Sequence, residues 1–80
     1  MTLKNYRTKW EAHCITLPPS STTKEYLTNL QRCDLLAWYF ETYPQKSRRF
    51  RSGELTFDAA LEEAGALVRD GQGPLIDEEG

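Results

Sequence analysis

Cysteine is scarce in this 80-residue chain: Cys14 and Cys33 are the only two. Small secreted scaffolds carry roughly four to eight, so a disulfide framework is not expected. Histidine is scarcer still, with His13 alone. A structural zinc site takes four ligands in paired spacings, and one His with two Cys and no C-x-x-C does not supply them. No segment approaches the roughly 20 apolar residues of a membrane span, and the opening MTLKNYRTKW has no apolar run of signal-peptide length. The expectations are no membrane partner, cytoplasmic residence and reduced thiols.

Catalytic patterns are missing as well. His13 and Cys14 are adjacent, so they diverge by about 100° on a helix or point to opposite faces of a strand, and do not form a nucleophile–base pair. The neighbouring acids Glu62-Glu63 and Asp77-Glu78-Glu79 lack the spacing of a calcium loop. Gly71-Gln72-Gly73-Pro74 follows a helix instead of opening one, which removes the context of a phosphate-binding loop. Internal repeats are absent. From these gaps we expect no enzyme activity, no cofactor and no metal.

What is present describes a small globular chain. Hydrophobic residues make up 39% and charged residues 28%, an ordinary balance that argues against wholesale disorder. Nine aromatics, two of them Trp, bring large areas to a core that is otherwise small. The length suits one domain, placed at residues 1–71, with residues 72–80 as a mobile acidic tail.

The periodicity predicts an all-α fold, a small three-helix bundle with helices near residues 3–14, 23–42 and 57–69. Leu3, Tyr6, Trp10, Cys14 and Leu17 recur at steps of three and four. Residues 13–17 are rich enough in β-branched side chains to be extended instead, and Pro18-Pro19 ends any helix there. Thr22 and Glu25 have the spacing of a capping box for the second helix, which Pro44 closes by pushing Tyr43 out of the helical region. Residues 45–53, QKSRRFRSG, read as a polar, basic connection. Thr56 caps the third helix, with Leu55 and Ala60 as a staple. Its apolar face is Phe57, Ala60, Leu61, Ala64, Leu67 and Val68. Asp58 and Arg69 complement its dipole, and Gly71 stops it. Gly65, inside this helix, is expected to mark a close helix–helix approach.

Two features exceed what a bundle needs. The middle helix is apolar around most of its circumference: Tyr26, Leu30, Cys33, Ala37 and Phe40 form one stripe, and Leu36, Tyr39 and Tyr43 a second. Leu27, Leu35 and Trp38 point in a third direction. Either the helix is central, or Trp38, Tyr39 and Tyr43 form a partner or self-association surface, since aromatics are enriched at interface hot spots. Charge is also segregated. Nine of the ten Lys/Arg and four of the twelve Asp/Glu fall in residues 1–51, a balance of +5, whereas residues 52–80 hold Arg69 against eight acids, −7. The basic residues Lys46, Arg48, Arg49 and Arg51 enclose Phe50, which suits phosphates with a stacked base, or a loop whose charges pair with the acidic third helix. A helix-turn-helix is disfavoured, because the connection is too long and the would-be recognition helix is acidic.

The expected function is therefore that of a small non-enzymatic interaction protein: a regulator, adaptor or inhibitor, of a size common among phage and mobile-element products. It would bind a larger macromolecule, most simply a protein, through Trp38, Tyr39, Tyr43, Arg48, Arg49, Phe50 and Arg51. A homodimer is compatible with the aromatic surface. The alternative is a nucleic-acid-binding module that uses the basic first half (Lys4, Arg7, Lys9) and the arginines of residues 46–51.

Overall fold

A computed structural model describes residues 2–17 and 28–75. Among these the fold is all-α, as the periodicity predicts, but the helices differ in number and kind. Two 3-10 segments, η1 (Leu3–Lys9) and η2 (Glu11–His13), stand where one α-helix is expected. They are followed by α1 (Asn29–Thr42), α2 (Pro44–Ser52) and α3 (Phe57–Arg69).

The 3-10 geometry decides which side chains of the first segment share a face. With three residues per turn, positions i and i+3 eclipse, so Arg7, Trp10 and His13 line up toward α1, where each finds a polar partner. The stripe expected for a 3.6-residue period breaks accordingly. Cys14 takes a left-handed conformation (φ 57°), ends η2 and is exposed. Ile15 turns into the core instead, and Leu17 faces solvent.

α1 starts at Asn29, later than the expected residue 23. Thr28 is extended, its hydroxyl accepts from the Gln31 amide at 3.1 Å, and the Gln31 side chain accepts from the Thr28 amide at 2.9 Å. This capping box satisfies two of the amides that a helix start leaves without partners. The expected Thr22–Glu25 box lies outside the described residues. Every residue from position 31 to 40 is buried, and ten consecutive positions cover the whole circumference of a helix. α1 is thus the central rod, packed by η1, α3 and α2. Its Cys33, Leu35, Leu36, Ala37 and Phe40 join Leu3, Ile15, Ala60 and Ala64 in the core.

Residues 44–52, expected as a loop, form α2. Pro44 stops α1 and also opens the next helix, because its fixed φ suits the first helical position and its missing N–H is not needed there. Gly53 (φ 89°) closes α2: its amide donates to Phe50 and that of Glu54 to Arg49. The same pair of bonds ends α3, from Gly71 to Val68 and from Gln72 to Leu67. Thr56 caps α3 as its sequence predicts, accepting from the Ala59 amide at 3.1 Å.

The chain beyond α3 corrects the expected boundary at residue 71. Leu75 forms a parallel bridge with Thr2, and its carbonyl accepts from the Leu3 amide at 3.0 Å. Gly73 lies so close to Val68 that a Cβ would stand 2.5 Å from its Cγ2. Residues 72–75 therefore belong to the fold, and residues 76–80 of the expected tail lie outside the described residues. Gly65, by contrast, has only the Arg69 guanidinium near it, at 3.7 Å from an added Cβ, so it marks no tight helix contact.

Candidate interaction surface on the second helix

Three polar linkages tie the segments together, and two of them fix where α2 sits. The first joins η1 to α1. Asp34 is fully buried, and its carboxylate accepts from Arg7 Nη2 at 2.8 Å and from Trp10 Nε1 at 2.9 Å. The second joins η2 to α1 and α2. His13 Nε2 lies 3.0 Å from Glu41 Oε2, and its Nδ1 lies 2.6 Å from Ser47 Oγ. An ionised carboxylate only accepts, so Nε2 carries the hydrogen, and in the neutral ring Nδ1 accepts from the Ser47 hydroxyl. The His13 bond holds Glu41 below the usual carboxylate range against the opposing effect of burial, and Lys9 at 3.4 Å adds to it. The third joins all three α-helices. Tyr39 donates to Glu63, which also pairs with Lys46 at 3.1 Å. Burial first, and then this bond, push the Tyr39 hydroxyl above its ordinary range, while Glu63 is lowered chiefly by Tyr39 and further by Lys46 and Arg49.

Sequence reasoning did not assign Asp34 or the Ser47–His13–Glu41 set. The usable signal was the spacing of three between Arg7, Trp10 and His13, which becomes one face only in a 3-10 helix. A serine, a histidine and a carboxylate in series have the composition of a hydrolytic triad. Ser47, however, is 2% exposed, and a nucleophile must reach its substrate. The set works as a cross-link. Cys33 is equally enclosed, with its thiol toward the Thr16 carbonyl at 3.8 Å, and burial followed by the neighbouring Asp34 pushes its pKa up to about 11. Among the described residues, no three His, Cys, Asp or Glu side chains gather in a way that could hold a metal ion.

The expected aromatic surface is corrected. Trp38 (9% exposed) and Tyr39 (4%) are in the core, because α1 is covered on all sides. Tyr43 alone remains exposed, at 37%, with its ring 5.3 Å from that of Tyr39. Phe50 is half-buried, its ring 5.1 Å from Phe40, so it anchors α2 instead of stacking on a ligand.

The arginines do reach the surface, divided between two flanks. At about 100° per residue, Ser47 and Phe50 define the inner face of α2. Lys46 and Arg49, three apart, lie on the flank turned to Glu63 of α3. Arg48 and Arg51, also three apart, lie on the other flank. Both are exposed, and among the described residues no carboxylate is within ion-pair distance of either. Among the described residues, the acids of the C-terminal third thus meet only the Lys46–Arg49 flank of this helix. Of the first-half cations, Arg7 is engaged by Asp34 and Lys9 by Glu41.

No helix among the described residues is long and apolar enough to cross a membrane. Comparison with known proteins finds no match among protein-family models, curated proteins or solved structures.

Proposed function

We propose that this protein is a non-enzymatic interaction module, a regulator, adaptor or inhibitor, which docks on a larger macromolecule through the outer face of α2. One observation carries the reading: Arg48 and Arg51 stand exposed, side by side and without a carboxylate partner among the described residues. Around them the polar groups are engaged, from the buried Asp34 and Ser47 to the partly exposed Glu41 and Glu63. With these groups engaged inside the fold, Arg48 and Arg51 of α2 are left to meet something else. Arg49 borders this face. A cytoplasmic setting, in which Cys14 and Cys33 stay reduced, completes the reading.

The test is capture of partners from cells of the native host by the tagged full chain and by its Arg48→Glu/Arg51→Glu variant. Retention by the wild type and loss in the variant, with unchanged circular dichroism, is the expected result. A partner retained equally by both would sink the assignment of this face.

The same exposed arginines also favour a second reading, contact with nucleic-acid phosphates. It predicts salt-sensitive mobility shifts of DNA or RNA that disappear when Arg48, Arg49 and Arg51 become Ala.

A further inference from the structure

α2 already shows how it handles an acidic helix. On one flank the pair Lys46 and Arg49 faces α3, where Lys46 holds Glu63 at 3.1 Å and Arg49 adds to the positive field on the same carboxylate. The opposite flank repeats the spacing with Arg48 and Arg51, and among the described residues no carboxylate pairs with either. Residues three apart on a helix have Cβ atoms about 5–6 Å apart, and two guanidinium forks at that separation match carboxylates spaced three or four residues apart on a facing helix.

We propose that the Arg48–Arg51 flank of α2 binds a carboxylate-bearing helix of a partner protein, the external counterpart of the contact that the Lys46–Arg49 flank makes with Glu63. This rests on the reading of α2 as the docking face and names its ligand.

Charge and number decide for carboxylates over phosphates. Nucleic-acid affinity grows with the number of phosphates neutralised, and binding proteins commonly engage about six to ten. α2 offers three exposed arginines, Arg48, Arg49 and Arg51, and Arg49 lies close enough to Glu63 to lower that carboxylate. The chain as a whole carries −2. Exposed Glu54 follows α2 directly, and Asp58, Glu62 and Asp70 are exposed along and just beyond α3. A long polyanion that extended past the two arginines onto α3 would be repelled by these acids. A short acidic helix on one flank would not.

The experiment uses the full chain and four probes at low ionic strength. These are a fluorescein-labelled Ala-rich helical peptide with glutamate at every fourth position, the same peptide with glutamine, a single-stranded DNA and a DNA duplex. We expect the glutamate peptide to bind in a salt-sensitive manner and the glutamine peptide not to bind. Affinity should fall about ten-fold in the Arg48→Ala/Arg51→Ala variant and by less than about two-fold in Lys46→Ala, whose ammonium lies on the other flank. Amide shifts in a nitrogen-15 titration should centre on residues 48–52. The inference is overturned if the glutamate peptide does not bind, if the double variant binds it equally, or if either DNA binds more tightly. Host capture separates the two claims. A partner that depends on Arg48 and Arg51 but is released by nuclease would leave the docking face standing and remove its carboxylate ligand, whereas capture indifferent to both arginines would remove the docking face itself.

Discussion

Asp34 sits in the middle of the central helix, with no exposed surface, and two side chains from the 3-10 segment reach its carboxylate. Removing this buried carboxylate takes the acceptor from Trp10 and from the partly exposed Arg7 and empties a site closed to water. Asp34→Ala should therefore destabilise the protein by about 3 kcal/mol and lower Tm by more than about 10 °C. Asp34→Asn, which keeps an oxygen for Trp10, should cost visibly less; equal Tm values for the two would contradict the role given to the charge. The cysteines differ at this scale too. Cys14 is exposed, whereas Cys33 is buried with its pKa pushed up to about 11, and thiolate is the reactive form. A thiol reagent at mildly alkaline pH should label Cys14 promptly and Cys33 only in denaturant. Prompt labelling of both in the native protein would show α1 to be less enclosed than described.

At the scale of elements, η1, η2 and α2 are where sequence and structure part. The apolar steps of three and four near the N-terminus suit an α-helix, whereas the polar face Arg7–Trp10–His13, spaced by three and engaged across the fold, belongs to three residues per turn. α2 escapes a hydrophobic-pattern reading because Phe50 is its sole large apolar side chain. Its inner anchor is a serine bonded to a buried histidine, a contact that no local pattern encodes. Two glycines give opposite predictions for the packing of α3. Gly65→Ala adds a Cβ that meets only the end of the Arg69 side chain, so the gain in helix propensity should stabilise by about 0.5–1 kcal/mol. Gly73→Ala drives a Cβ against Val68, including its Cα at 3.1 Å, and should destabilise by about 1–3 kcal/mol. Urea unfolding of both variants checks the pair, and the same sign for both would refute this packing.

At the scale of the whole molecule, measuring 35 × 27 × 22 Å, charge links stability to pH. Glu41 and Glu63 both titrate below the ordinary glutamate value of about 4.5, held down first by the bonds from His13 and Tyr39. A depressed carboxylate contributes stability that is fully present above its unfolded pKa and is lost as pH falls through the folded one. Denaturant midpoints should thus be steady near neutrality and drop below about pH 4.5, with a shallower drop in the Glu41→Gln/Glu63→Gln variant. An identical acid profile in that variant would rule these two groups out as its source.

The sequence by itself determined the helical class, the Thr56 cap and Gly71 stop of α3, and the uneven distribution of charge. Each depends on neighbours a few residues apart, and local spacing records such relations. It also left two futures open for the aromatic helix, central rod or docking surface. Tertiary structure decided between them by covering residues 31–40 on every side, which enclosed Trp38 and Tyr39 and left the arginines of α2 at the surface. It decided as well which arginines were spent, placing Glu63 beside Lys46 and Arg49 and leaving Arg48 and Arg51 facing out. That choice depends on how α3 lies against α2, a relation between side chains more than ten residues apart that periodicity does not carry.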